Sequence, residues 1–308
     1  MLSPVTTFSI AGLQLEIARG DNLAYLRSEI EAVVSRFPWV QMVVLGELSA
    51  YGSGTARAES LAGPSEQAFC RIAQALRIWL IPGSFYVREG ESVFNLSPII
   101  NPAGEVVARH RKMFPFLPYE TGVTPGKDFI VFDVPDVGRF GVSNCYDMWF
   151  PETTRMLAAM GAEVILHPSM TNTIDRDVEL AIARANAASN QCYFFDINVA
   201  GRLGFGRSIV CGPGGEVVHQ AGRGREVFPV EVDFDLVRRV RQRGWQGIGQ
   251  VLKSFRDRAV DFPVCGDHRL PFESLNALGP LKLPEREQLE ENFSRRGAPR
   301  INQLGEQS

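Results

Sequence analysis

Gly141–Arg155 reads GVSNCYDMWFPETTR. An apolar run, RFGVSN, leads into Cys145. Pro151 then opens a helical pattern that runs to Met160 and is stopped by Gly161. A cysteine at such a strand-to-helix junction is a packing residue, a disulfide partner, a metal ligand or a nucleophile. The chain has five cysteines, at 70, 145, 192, 211 and 265, widely spaced and without a C-x-x-C pair. That spacing speaks against a zinc ribbon and against a disulfide framework, so no metal is expected. Cys70 fits the buried face of a helix, and Cys192 and Cys211 lie in apolar, strand-like runs. Free cysteine there is an ordinary small core hydrophobe.

Around this junction, strand and helix patterns alternate. TTFSIAGLQLE reads as a strand. NLAYLRSEIEAVVSRF reads as a helix, with Asp21 as its N-cap. VQMVVLGE is a buried strand, and SEQAFCRIAQALRI a helix capped by Ser65. WLIPGSFYV and SVFNLSPIINPAGEVVARHRK follow, the second a hairpin turning at NPAG. DFIVFDVP, AEVILHPS and CYFFDINVA are strands, and DRDVELAIARANAASNQ is a helix. SIVCGPGGEVVHQ is a second hairpin. REVFPVEVDFD closes the core, followed by a basic helical stretch near Val237–Arg243. Alternation with interspersed hairpins predicts an α/β layered fold with mixed sheets. The expected division is one domain over 1–279 and a polar, Pro-interrupted tail or arm over 280–308.

The chain has 308 residues, 45% hydrophobic and 22% charged, enough to bury a large core. Its net charge of −3 gives no electrostatic attraction to nucleic acid or anionic membranes. No apolar run approaches the roughly 18 residues of a membrane span, and the N-terminus lacks a signal-peptide pattern. A cytoplasmic protein is expected.

Three strand ends carry reactive groups: Glu47 after VQMVVLG, Lys112 after EVVARHR, and Cys145 after RFGVSN. Together they make chemical sense. A thiol attacks a carbonyl carbon as thiolate and needs a base or a positive neighbour to get there. Glu47 suits the base. Lys112 suits the thiolate and the oxyanion of a tetrahedral intermediate, with the Tyr146 backbone N–H as second oxyanion donor. A Cys–His pair is the other arrangement. Of His110, His167, His219 and His268, His167 at the end of AEVILHPS is the most credible pocket histidine. Tyr51, Phe116, Tyr119 and Trp149 flank the candidate catalytic residues as walls of a compact apolar pocket. Asn172, in SMTNT, supplies a polar contact.

These segments resemble the nitrilase, or carbon–nitrogen hydrolase, superfamily. VVLGELSAYG is similar to its glutamate motif, with Gly46 where proline is usual. RHRKMFPF is similar to an altered lysine motif, and GVSNCYDMWFPETTR to the nucleophile segment. Downstream, IARANAASNQCYFFDIN resembles the R-A-x-E-N segment, with Ser189 at the glutamate position, and GFGRSIVCGPGGEVV resembles the G-x-S-x-I-x-x-P-x-G stretch. The likeness runs from about residue 5 to 260. It implies a four-layer α-β-β-α sandwich, homodimers or larger homo-oligomers, and no cofactor. It also implies a second glutamate near the lysine, and Glu120 fits that position.

The reaction implied is hydrolysis of a small carboxylic amide to the acid and ammonia through a cysteine thioester. Tyr146-Asp147 after the cysteine resembles amidases and carbamoylases, where nitrilases typically have Trp-Glu. An N-carbamoyl amino acid hydrolase is the alternative. It requires a carboxylate binder, for which Arg176 and Arg202 are candidates. A nitrilase or a catalytically silent relative stands further off.

Overall fold

A computed structural model describes residues 6–262 together with Ser274, Leu278 and Leu281. Strand β1 (Thr7–Gln14) shows how the layers arise. Its side chains alternate between faces, so Phe8 and Ile10 enter one core while Ala11 and Leu13 enter another. A strand buried on both faces must be apolar almost throughout, as this one is.

The first sheet comprises β1, β2 (Met42–Leu45), β3 (Glu59–Ser60), β4 (Trp79–Ile81), β5 (Phe85–Glu89), β6 (Ser92–Ile100), β7 (Val106–Arg111) and β14 (Glu226–Asp233). Its order is β14-β1-β2-β4-β6-β5-β3, with β7 also paired to β6. The second comprises β8 (Ile130–Val134), β9 (Gly138–Val142), β10 (Val164–Ser169), β11 (Tyr193–Asn198), β12 (Ile209–Cys211) and β13 (Val217–Gln220), in the order β13-β12-β11-β10-β9-β8. Both sheets are mixed. The β2–β4, β9–β10 and β10–β11 pairs are parallel, and the expected hairpins β6–β7 and β12–β13 are antiparallel.

Between the sheets, Ile10, Val44 and Ile81 of the first pack with Phe140, Leu166 and Phe195 of the second. The outer face of the first sheet is covered by α1 (Leu23–Arg36) and α2 (Pro64–Leu76), through Leu26, Ile30 and Phe69. The outer face of the second is covered by α3 (Pro151–Ala159) and α4 (Arg176–Asn190), through Leu157, Leu180 and Ala183. The architecture is the α-β-β-α sandwich. Two further helices, α5 (Phe234–Arg243) and α6 (Val251–Arg256), follow β14.

Two expected caps are displaced. Asn22, not Asp21, is the cap residue of α1, although Asp21 still accepts from the Leu23 N–H at 2.9 Å. Gly63 precedes α2 and Pro64 opens it, because proline has no N–H to leave unsatisfied there. Ser65 is therefore inside the first turn, and its hydroxyl donates to Glu59 at 2.7 Å.

The described residues of 1–115 and 122–261 form one compact unit. Residues 116–121 belong with Phe262 and the described positions beyond it to a second, considered by itself. Cys265, His268, the boundary at 279 and, apart from Leu281, the tail lie outside the described residues.

Candidate active site

Lys112 directly follows the last residue of β7, Glu47 lies two residues past the end of β2, and Cys145 three past the end of β9. All three are buried. Lys112 Nζ donates to Glu47 Oε1 at 2.8 Å, and Asn95 Nδ2 donates to the same oxygen at 2.8 Å. Asn144, next to the cysteine, donates through Nδ2 to Asn95 Oδ1 at 3.1 Å. A single chain of bonds thus runs from the cysteine's neighbour to the lysine. Asn95 lies in β6, in VFNLS, where an inward polar residue interrupts an apolar strand. That interruption was its only sequence signal.

Cys145 has φ +48°, the left-handed region that a non-glycine residue rarely adopts. Four contacts of the Asp147 carboxylate hold this elbow. Asp147 Oδ2 accepts from the Asn144 N–H at 3.0 Å and lies 2.9 Å from His110 Nε2. Asp147 Oδ1 accepts from the backbone N–H groups of Met113 and Phe114, at 3.1 and 2.9 Å. One buried carboxylate therefore ties the segment after Lys112 to the turn after Cys145. The rings of Phe114 and Phe150 stack across the same junction, with centroids 3.6 Å apart. From behind, His167 Nε2 donates to the Cys145 carbonyl at 3.1 Å, and its Nδ1 lies 2.6 Å from Ser143 Oγ. A carbonyl only accepts, so Nε2 carries the proton and the Ser143 hydroxyl donates to Nδ1.

His167 is thus not a pocket-wall residue. It is fully buried and engages the cysteine's backbone, not its sulfur. Burial lowers its pKa to about 4. Burial likewise pushes the Cys145 thiol well above its usual value. Glu47 and Glu179 push the same way and Lys112 opposes them. The resting sulfur is a thiol and needs a base at the moment of attack.

Thr171 Oγ1 lies 3.9 Å from the Cys145 Sγ. Its hydroxyl donates to Glu179 Oε1 at 3.0 Å, and Trp149 Nε1 reaches the same oxygen at 3.4 Å. Arg176 pairs with Glu179 at 3.1 Å and with Asp196 at 2.7 Å. This corrects the reading of Arg176 as a free carboxylate binder: both partners hold its guanidinium, and the residue is buried. Glu179 carried no signal in the sequence and Thr171 only its place in SMTNT, because α4 and the end of β10 meet only in the fold.

The remaining candidates are dispersed. The Tyr51 hydroxyl is engaged by Glu59 at 2.7 Å and Ser65 at 2.9 Å. Asn172 is exposed and donates to the Arg202 carbonyl at 3.1 Å, and Arg202 is exposed as well. Tyr146 sits at the elbow, with its ring edge-on to Phe150 at 5.3 Å. In the second unit, the Phe116 N–H donates to Glu120 Oε2 at 2.7 Å, and Phe116 stacks on an exposed Tyr119 at 4.9 Å. Cys192 and Cys211 are wholly buried, as core hydrophobes should be, whereas Cys70 is half-buried.

A sandwich with a buried Glu–Lys pair beside a cysteine elbow defines a class of thiol-bearing α/β hydrolases. Residues 9–242 match the family described as carbon-nitrogen hydrolase. The omega-amidase of Saccharomyces cerevisiae is 30% identical over 261 residues, covering 76% of this chain and 89% of the relative. A formamidase of Bacillus cereus is 27% identical over 267 residues, covering 80% and 79%. Among solved structures, Nit3 of Saccharomyces cerevisiae, a member of branch 10 of the nitrilase superfamily, superposes with a TM-score of 0.72 at 28% identity, covering 77% of this chain and 94% of that one. An amidase from Nesterenkonia sp. has the same fold, with a TM-score of 0.69 at 23% identity over 77% and 95% of the two chains. The chain belongs to the carbon–nitrogen hydrolase family and is a hydrolase of non-peptide C–N bonds.

Proposed function

We propose that the protein hydrolyses a small carboxylic amide to the acid and ammonia, with Cys145 as nucleophile, Glu47 as general base and acid, and Lys112 as oxyanion donor. The observation that carries this reading is the buried Lys112–Glu47 contact of 2.8 Å, joined through Asn95 to the residue beside the cysteine. Glu47 takes the thiol proton as Sγ attacks the carbonyl carbon. Lys112 and the Tyr146 N–H hold the developing oxyanion. Glu47 returns its proton to the nitrogen, the C–N bond breaks and ammonia leaves. Water then gives a proton to Glu47 and its oxygen to the thioester carbon. The acid departs as that proton returns to sulfur.

An omega-amidase and a formamidase among the relatives support an amide substrate. The commitment of Arg176 to Glu179 and Asp196 favours it over an N-carbamoyl amino acid, whose carboxylate needs a free cation. Apolar side chains exposed on and near the outer helices, Met156, Met160, Ile174 and Val178, support a homo-oligomer assembled through that face. A nucleophilic thiol and further free cysteines support a reducing, cytoplasmic setting. No helix among the described residues is long and apolar enough to cross a membrane.

The test is ammonia release from primary amides, N-carbamoyl amino acids and nitriles, in the natural protein and in Cys145→Ala. Turnover of amides that disappears in the variant is the expected result. Amide hydrolysis surviving in Cys145→Ala overturns the nucleophile, and exclusive turnover of carbamoyl acids overturns the substrate class.

A further inference from the structure

Glu47 is one of two carboxylates that act on the sulfur, and the mechanism above leaves the other unused. Glu179 is buried on α4, with three donors around it: the Thr171 hydroxyl, the Trp149 indole N–H and the Arg176 guanidinium. The Thr171 hydroxyl has one proton to give. Because that proton is spent on Glu179 Oε1 at 3.0 Å, what faces Cys145 Sγ at 3.9 Å is an oxygen lone pair. A lone pair accepts from a thiol S–H and repels a thiolate.

We propose that Thr171 and Glu179 are a positioning pair that keeps the resting nucleophile as the neutral thiol, so that the thiolate forms only when Glu47 takes the proton. This rests on Cys145 being the nucleophile. Glu179 acts through Thr171 by fixing the direction of its hydroxyl, and it adds its own negative charge near the sulfur. Within the same unit, the charged and titratable groups around the pair are Glu47 at the end of β2, Lys112 at the end of β7, His167 on β10, Asp196 on β11 and Arg176 on α4. Of the charged groups acting directly on Cys145, Lys112 favours the thiolate, as does a backbone hydrogen bond from Met170, while Glu47 and Glu179 oppose it. Glu179 itself is held by Arg176 against a burial penalty that raises its pKa.

The test is alkylation of Cys145 by iodoacetamide from pH 6 to 10, read by mass spectrometry of the Cys145 peptide, with amide hydrolysis followed in parallel. Thr171→Val and Glu179→Gln each free the sulfur from the lone pair and are expected to speed alkylation at pH 7.5 by about fivefold or more, with the midpoint moved to lower pH. Thr171→Ser keeps the hydroxyl and is expected to stay within about twofold of the natural protein. Because both changes remove one restraint, the double variant is expected to exceed Thr171→Val by no more than about twofold. Single variants within twofold of the natural protein overturn the proposal. So does a double variant equal to the product of the singles, which reduces Glu179 to an independent charge. Should Glu179→Gln fail to fold, the contrast between Thr171→Val and Thr171→Ser decides alone. Hydrolysis that survives full alkylation of Cys145 defeats the nucleophile assignment instead, a result distinct from unchanged profiles in an enzyme that alkylation silences.

Discussion

His167 makes the cysteine elbow sensitive to acid. Its ring is fully buried, donates to the Cys145 carbonyl and accepts from Ser143, so the folded protein holds it neutral. Its pKa is lowered from 6.5 to about 4, chiefly by burial, against the weaker pull of Asp196 and Asp147. In the unfolded chain it protonates near pH 6.5. Between these values the unfolded state binds the extra proton, so folding loses stability as pH falls. The contribution is complete above pH 6.5 and is lost as pH drops toward 4. At about 1.36 kcal/mol per unit, the loss from pH 7.5 to 4.5 comes to about 2.5 kcal/mol. The perturbation is His167→Asn, which has no titrating ring. The assay is urea unfolding of both proteins at pH 7.5, 6, 5 and 4.5. The natural protein's advantage over the variant is expected to shrink by about 2.5 kcal/mol across that range. Carboxylate titration is common to both and cancels. Curves that stay parallel refute the reasoning, because they mean His167 takes up its proton equally in both states.

Asn95→Leu removes a donor to the Glu47 carboxylate and is expected to lower kcat by about 10- to 100-fold, with KM little changed, in steady-state amide hydrolysis. Asp147→Ala strands the buried N–H groups of Asn144, Met113 and Phe114, and is expected to cost about 3–5 kcal/mol in denaturant unfolding. Gly46→Ala would bring a Cβ to 2.6 Å from Val199 Cγ1 and 3.0 Å from the Ser169 carbonyl oxygen. It is expected to destabilise by about 1–3 kcal/mol and, by moving the adjacent Glu47, to reduce kcat as well. Denaturant unfolding and turnover measured on the same preparation check both.

Gly46 also shows how far a motif can be read. Its departure from the usual proline looks in sequence like a weakened motif. In the structure, the backbone there passes close to Val199 and Ser169, and the carbonyl of Gly46 abuts Gly83, where a Cβ would fall 1.8 Å from the oxygen. The glycine is a packing solution between two sheets. Arg176 teaches the converse. An arginine at a helix start reads as solvated or ligand-binding, yet it is buried because Asp196, twenty residues on in β11, and Glu179, one turn on, neutralise it together. The cap of α2 was misplaced for a local reason: Pro64 displaced Ser65 from the position its side chain would otherwise favour.

The sequence alone determined the alternation of elements, the two hairpins, and three reactive residues at three strand ends. Periodicity, turn residues and strand termini are properties of consecutive residues, so they are legible without contacts. Only the tertiary structure decided which partners those residues have. The bonds from Asn95 to Glu47, from Asp147 to Met113, from His167 to Cys145 and from Thr171 to Glu179 join different elements or the two ends of a loop. A buried polar group takes whichever complementary group the packing of two sheets brings within 3 Å or so, and that choice is made by the fold as a whole.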